Sequence, residues 1–307
     1  MPKQAIIFGG SGFLGSHVAD SLSAGGYKVT VFDKKESPYL RFDQKMIVGD
    51  ILDVNQTRKA MKGQDIVYHF AGLADLDHAT DKAMESVNQN IVGTIHLLDS
   101  AVEFNIGRFI FASSIYVYSG LGGFYRCSKQ ACELYIEEYQ KLYDLDFTIL
   151  RYGSLYGPRA GVSNSIRRYL KEGLENQRIA YPGTGDEVRE YIHVKDAAKL
   201  SFDILTEEYK NRHIIITGHH PMKAGEMLAM VQEILSHKVS IDYACDVNES
   251  HYNITPYSFI PKVGSKLVSN LYMDMGQGFL ECLQEISQNA EKKKTSSTAH
   301  TCKKNRE

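Results

Sequence analysis

Phe8-Gly9-Gly10-Ser11-Gly12-Phe13-Leu14-Gly15 is the stretch on which the fold turns. It follows a short apolar run, Gln4–Phe8, and opens a segment of helical spacing, Phe13–Ala24, with Leu14, Val18 and Leu22 on one stripe. Two patterns overlap in it: G-x-G-x-x-G at Gly10, Gly12 and Gly15, and G-x-x-G-x-x-G at Gly9, Gly12 and Gly15. A tight strand-to-helix turn needs residues without a Cβ. The backbone amides at the helix N-terminus then lie open to a pyrophosphate, whose charge the helix dipole favours. Such a string is weak evidence alone. A strand before it and a helix after it are the context the motif demands. The competing reading is a glycine turn with no ligand.

Outward from the loop, Gly25-Gly26 stops the helix. Lys28–Phe32 is β-rich and leads to Asp33, 18 residues after Gly15. A carboxylate there can accept both hydroxyls of an adenosine ribose and repels a 2′-phosphate, which favours NAD over NADP. Lys34 and Lys35 pull the other way. Met46–Val48, Asn55–Met61, Ile66–Phe70, Val87–Phe104, Arg108–Phe111, Tyr125–Tyr143 and Phe147–Leu150 continue the alternation of strand and helix. This predicts an α/β fold: a doubly wound parallel sheet (Rossmann) with a smaller mixed C-terminal substrate domain. After Arg151 the pattern loosens. Ser165–Leu174, Lys195–Thr206 and Lys223–Ser236 read as helices and Ile214–Thr217 as a strand. Residues 1–152 with 187–218 are expected to form the dinucleotide-binding domain, and 153–186 with 219–287 the substrate domain. The polar, aperiodic stretch 288–307 is expected to be a disordered tail.

The 307 residues are 43% hydrophobic and 23% charged, an ordinary globular balance. Basic and acidic residues number 35 and 37, so no basic excess points to nucleic acid. No apolar run reaches the roughly 18 residues that span a bilayer, and the N-terminus lacks the pattern of a secretory signal. Neither a nucleic-acid nor a membrane partner is expected. The five cysteines contain no CxxC pair and resemble neither a disulfide framework nor a zinc site. A cytoplasmic protein without a metal site is the expectation.

Tyr125-Arg-Cys-Ser-Lys129 sets a tyrosine and a lysine at i and i+4, on one face of a helix. An ammonium beside a phenol favours the phenolate, lowering a pKa that starts near 10. Such a tyrosine can take a proton from a sugar hydroxyl and return it. Tyr135 and Tyr139 share the helix and read as packing residues. Ser113-Ser114 ends the preceding strand, where a hydroxyl can reach the same substrate oxygen. Asp50-Ile51 follows the third strand, where an adenine edge would lie; Asp50 reads equally well as a turn residue before Asp53. His69-Phe70-Ala71-Gly72-Leu73 ends the fourth strand, and its small residues Ala71 and Gly72, with Leu73, let a cofactor lie across the strand end.

GGSGFLG, Asp33, HFAGL, SSIYVY, YRCSK, RYGSLYGP and REYIHVKDAA stand in the order seen in the extended short-chain dehydrogenases/reductases. Over about residues 4–205 the chain resembles that superfamily, and within it the NAD-dependent sugar-nucleotide epimerases of the UDP-glucose 4-epimerase type. The resemblance implies that Ser114, Tyr125 and Lys129 are catalytic, with Lys129 also on the nicotinamide ribose. It places Gln89 on the cofactor and Tyr152 beside the nicotinamide. It puts Ser154 where many members have a substrate-binding asparagine, and Arg189 on the substrate's diphosphate, an anion that a guanidinium suits. A second arginine near the C-terminus is not evident; His251, Lys262 and Lys266 are the candidates to replace it. The activity implied is inversion of C4 of a nucleotide-diphosphate sugar through a transient 4-keto sugar, with NAD as cofactor. The alternatives are a 4-ketoreductase of a nucleotide deoxysugar and a non-catalytic cofactor-binding scaffold. The family's 4,6-dehydratases carry Asp-Glu after the catalytic threonine, whereas Ile115-Tyr116 follow Ser114 here. The glutamate that the decarboxylases use in that segment is also absent. Val87–Phe104 and Tyr125–Tyr143 correspond to the helices of a four-helix dimer interface, which implies a homodimer.

Overall fold

The first strand, β1 (Gln4–Phe8), carries four successive side chains with no exposure at all, Ala5 to Phe8. Neighbouring side chains of a strand point to opposite faces, so an unbroken apolar run must be covered on both. Ala5 and Ile7 pack with Val18 and Leu22 of α1 (Phe13–Ala24). Ile6 and Phe8 pack with Leu97, Leu98 and Ile136 on the other face. The computed structural model describes residues 2–73, 82–236, 238–244, 264–268 and 271–304, with side chains as far as residue 291.

Chain order after β1 is β2 (Lys28–Asp33), β3 (Gln44–Val48), α2 (Val54–Met61) and β4 (Ile66–His69). Helix α3 joins Ala83–Ser86 and Gly93–Glu103 through a π-helical stretch, Val87–Val92. Then come β5 (Arg108–Ser114), α4 (Gly123–Tyr143) and β6 (Phe147–Tyr152). The second half adds β7 (Ser154–Tyr156), α5 (Ser165–Asn176), β8 (Arg178–Tyr181), β9 (Val188–Arg189) and β10 (Tyr191–His193). It ends with α6 (Val194–Asp203), β11 (Arg212–Ile216), β12 (Met222–Lys223), α7 (Ala224–Ile234), β13 (Ser240–Tyr243), β14 (Ser265–Leu267) and α8 (Met275–Lys304).

Eight strands form one sheet in the order β14-β11-β6-β5-β4-β1-β2-β3, and every pairing in it is parallel. The expected doubly wound sheet is therefore present. Strand order reverses at β1, which lies between β2 and β4, and a crevice opens beyond the carboxyl ends of β1 and β4. The remaining strands pair off as β7 with β10, β8 with β13, and β9 with β12. A third core joins α5, β8, α7 and α8 through Ile166, Leu170, Ile179, Leu228 and Phe279.

Two segments differ from the expectation. Ser265–Leu267, read as part of the substrate segment, adds a strand to the large sheet beside β11. The backbone of 288–304, expected to lack regular structure, continues α8 as far as Lys304. That helix is anchored by Phe279, Cys282 and Ile286, buried at helical spacing. Glu, Lys and Ala beyond them propagate a helix readily. Among the described residues no helix is long and apolar enough to cross a membrane, and no group of three His, Cys, Asp or Glu is placed to hold a metal ion.

Candidate active site

The glycine loop is held by contacts that leave no room for a side chain. Gly9 sits at φ +84°, and a Cβ there would come within 2.5 Å of the Ala71 amide nitrogen. A Cβ on Gly15 would lie 2.3 Å from the Gly9 carbonyl oxygen, and one on Gly10 would lie 2.9 Å from Val31. The loop is thus wedged between β1, β4 and the start of α1. Gly12, the N-cap of α1, makes no side-chain cap, so the first-turn amides are left for an anion. The loop fits a dinucleotide's pyrophosphate on these grounds: backbone donors, a dipole of the right sign, and a cradle that any Cβ would fill.

A cavity of about 630 Å³ starts at this loop. Gly9, Gly12, Phe13, Leu14, Gly15 and Gly72 line its near end. Ser113, Ser114, Tyr125, Lys129, Tyr152 and Ser154 line its middle. Arg189 lines it further along, with Arg168, Tyr169 and Tyr181. Thirteen candidates from the sequence therefore share one cavity.

The others lie outside its lining. Gly10 packs on Val31. Asp33 ends β2 with Oδ2 accepting from the Ser11 amide at 3.1 Å and Oδ1 from the Lys35 amide at 3.2 Å. Lys34 joins Asp50 (3.2 Å) and the Gln89 side-chain oxygen (3.2 Å) into one polar cluster beyond β2 and β3. Ile51 is a core side chain that touches Gly93 of α3. Ala71 meets the Gly9 backbone. Leu73 is pinned by a residue the sequence reading passed over, Asn90: its Oδ1 accepts from the Leu73 amide at 2.7 Å and its Nδ2 donates to the Leu73 carbonyl at 3.1 Å. Asn90 also donates to Ser128 of α4 at 2.8 Å. It lies in the π-helical stretch, a distortion common at functional sites, and its signal was the Asn beside Gln89.

At the middle of the cavity α4 presents Tyr125, against which the Tyr116 ring stands edge-on with centroids 6.3 Å apart. One turn later, Lys129 is buried. Its Nζ donates to the Ala112 carbonyl at 2.7 Å and lies 5.8 Å from the Tyr125 ring centroid. Burial pulls its pKa down to about 8. The ammonium and the phenol ring thus face each other on one side of α4. The Ser114 hydroxyl accepts from the Tyr116 amide at 3.3 Å. Tyr152 gives its ring to the cavity wall, while its hydroxyl is bound to Ser201 at 2.6 Å.

Directly behind this group lies a buried ion pair. Arg151 and Glu133 have no exposed side-chain surface and meet through two bonds, of 2.7 and 3.0 Å. Glu133 also accepts from the Ser113 hydroxyl, and Arg151 donates to the Tyr118 hydroxyl. The cluster ties β5 at Ser113 and β6 at Arg151 to α4 at Glu133. It thereby sets the spacing of Ser114, Tyr152 and the Tyr125–Lys129 turn. Sequence spacing held part of this signal, since Glu133 continues the i, i+4 ladder from Tyr125 through Lys129.

Of the candidates for a second diphosphate cation, Lys266 is paired with Glu190 at 3.1 Å and does not line the cavity. His251 and Lys262 lie outside the described residues.

Residues 5–217 match the NAD dependent epimerase/dehydratase family. The chain belongs to this family. It is 29% identical over 266 residues to a UDP-N-acetyl-alpha-D-glucosaminuronate decarboxylase of Bacillus cytotoxicus, covering 78% of this chain and 82% of that protein. It is 29% identical over 224 residues to a dTDP-glucose 4,6-dehydratase of Actinoplanes sp., covering 63% and 69%. The fold matches that of a UDP-N-acetylglucosamine 4-epimerase from Methanobrevibacter ruminantium M1, solved with UDP-N-acetylmuramic acid. The TM-score is 0.81 at 23% identity, over 94% of this chain and 99% of that one. NAD is the family's cofactor, and the glycine loop fits it.

Proposed function

We propose that this chain is an NAD-dependent 4-epimerase of a nucleotide-diphosphate sugar. One observation carries the reading: the middle of the cavity offers a tyrosine, a lysine and a serine but no carboxylate. Among the described lining residues the sole carboxylate is Glu187. It accepts from the Tyr181 hydroxyl and from the Thr184 and Gly185 amides, and its pKa is lowered. It is an anion held on a turn, unsuited to donating a proton. Loss of water across C5 and C6 needs an acid and a base beside the serine, where Ile115 and Tyr116 stand. Proton exchange at one hydroxyl needs only the tyrosine.

In this reading Tyr125, as phenolate, takes the proton of the C4 hydroxyl and later returns it. Ser114 hydrogen-bonds the same oxygen and fixes its distance from the phenol. Lys129, positively charged below about pH 8, favours the phenolate electrostatically and steadies the nicotinamide ribose. The chemistry that NAD would supply when bound is reversible acceptance of a hydride from the sugar carbon. Gly9, Gly12 and Gly15 hold its pyrophosphate, Asp33 its adenosine ribose, and Asp50 and Gln89 the neighbouring polar edge. Arg189 anchors the substrate's diphosphate, so the sugar can turn over between proton removal and return.

Residues 1–152 with 187–218 are assigned to the cofactor and 153–186 with 219–287 to the substrate, with β14, among the described residues, the one strand of the latter that serves the sheet. A homodimer through α3 and α4 is supported by Met84, Leu134, Tyr135 and Leu142, which those helices leave exposed.

The test is incubation of purified protein with UDP-, GDP-, CDP- and dTDP-sugars, followed by NMR. Inversion at C4 without added reductant is the expected result. Stoichiometric consumption of NAD(P)H with a 4-keto sugar would establish the ketoreductase instead. No turnover with any of them would leave a cofactor-binding scaffold.

A further inference from the structure

The cations lining the cavity, among the described residues, are Lys129, Arg168 and Arg189. Lys129 belongs to the catalytic turn. The two arginines come from different elements, α5 and β9, and Tyr169 is their common neighbour. The Arg168 guanidinium lies 5.2 Å from the Tyr169 ring centroid, and its Nη2 donates to the Tyr169 hydroxyl at 3.5 Å. Arg189 lines the same cavity and lies near enough to the Tyr169 phenol to act on it electrostatically, and both arginines pull its pKa down against a larger upward push from burial. The aromatic wall continues from Tyr169 to Tyr181, with ring centroids 5.7 Å apart. The one lining carboxylate, Glu187, is already occupied by donors of its own turn.

An anion with two charges, next to a planar ring, matches this arrangement. We infer that Arg168 is the second cation of the diphosphate site, working with Arg189 in the same stretch of the cavity wall. This rests on the nucleotide-sugar reading above. The C-terminal part of the chain offers no arginine for the purpose, since none occurs between Arg212 and Arg306. Arg168 is also the right kind of group to be recruited. Its ion pair with Glu172, one helical turn on, is loose at 4.0 Å, with side chains 37% and 28% exposed. Pairs of that kind contribute little, so turning the guanidinium towards a phosphate sacrifices little. The gain is a charge-assisted, fork-shaped contact.

The experiment is calorimetric titration of the dinucleotide-loaded protein with UDP and with uridine, for wild type, Arg168→Gln and Arg168→Lys. Arg168→Gln should weaken UDP by about tenfold or more, the scale of a hydrogen bond to a charged group. Uridine should change by less than about threefold on the same scale, and Arg168→Lys should fall between. Thermal midpoints should be unchanged, because the side chain is a third exposed on a helix surface. If the wild type binds UDP and Arg168→Gln binds it equally well, or loses UDP and uridine alike, the assignment of Arg168 is overturned and the epimerase reading stands. If UDP does not bind the wild type, GDP, CDP and dTDP with their nucleosides follow. Failure of all four overturns the nucleotide-sugar reading and this inference with it.

Discussion

At the β1–β4 end of the cavity the wall is backbone: Gly9 at φ +84°, Gly12 and Gly15, with Gly9 and Gly15 packed too closely against backbone atoms for any Cβ. At the Arg189 end the wall is side chain: Arg168, Tyr169, Tyr181 and Arg189, carried by α5, β8 and β9. The first construction is rigid, because backbone positions in a parallel sheet cannot be retuned singly. The second can change its ligand by changing one residue. In the proposed reading, a shared cofactor at the first end and divergent substrates at the second follow from that difference. Tyr125 stands between the two, and a change there separates chemistry from either binding function.

Tyr125→Phe is the largest expected effect. Removing the proton-transfer group should cut kcat by about 10²–10⁴. Both ends should be spared: dinucleotide and UDP affinities stay at wild-type values by calorimetry. A variant that turns over normally would remove Tyr125 from the mechanism. A variant that loses the dinucleotide would mean the ends are not independent of the middle.

Glu133→Gln sharpens the comparison from below. It leaves the Arg151 charge buried with its main partner gone, and breaking such a pair costs about 3–5 kcal/mol. The urea midpoint should fall accordingly. Replacing both residues by apolar ones, as Glu133→Leu with Arg151→Met, should restore much of the stability. The double variant should still turn over poorly, because Ser113 and α4 are no longer tied together. Full activity in the double variant would reduce the pair to a structural role.

Protonation offers a test spread over both regions. Burial lowers the pKa of His69 on β4 to about 3, of His17 on α1 to about 4 and of His193 at the start of α6 to about 4. Each folded value lies below the unfolded 6.5 or so. The unfolded chain therefore binds more protons in between, and stability rises with pH there. It is complete above about pH 6.5 and is lost as pH falls towards 4, or towards 3 for His69, by at most about 3–5 kcal/mol per histidine. The thermal midpoint should drop between about pH 6.5 and 5, ahead of most carboxylate titration. His17→Gln, which retains a donor for the Pro158 carbonyl, should flatten the slope by roughly a third. A midpoint constant over that range would mean these imidazoles are not held neutral by the fold.

The same contrast explains what could be read from the sequence. Gly9, Gly12 and Gly15 announce themselves because a missing Cβ is a residue type, and its spacing is local. Tyr125 and Lys129 are four apart on one helix. The doubly wound sheet follows from apolar runs alternating with helical stripes. Arg168 was passed over because nothing local marks it: it is one of two adjacent arginines on an amphipathic helix, and its importance comes from Arg189, 21 residues on. Nothing local marks Arg151 as half of a buried ion pair, since its partner Glu133 is in another element. Gln89 drew attention, while the buried neighbour Asn90 does the pinning, because a π-helical stretch rotates the face that helical spacing predicts.

Asp33 carries the smallest effect and tests the rigid end most finely. Its carboxylate has two possible duties, since Oδ2 already supports the Ser11 amide in the glycine loop. Asp33→Ala removes loop support and charge together, whereas Asp33→Asn keeps an oxygen acceptor and removes only the charge. If ribose recognition rests on repulsion of a 2′-phosphate, Asp33→Asn should raise NADP affinity by about tenfold on the scale of one charged contact. NAD should weaken only slightly and the thermal midpoint should hold. Lys34 then decides how far the preference swings. It is paired to Asp50 at 3.2 Å, and Asp33→Asn with Asp50→Asn should release it towards the added phosphate and favour NADP further. Unchanged ratios in both variants would assign Asp33 to the Ser11 amide alone, and the rigid end would owe its cofactor choice to something other than charge.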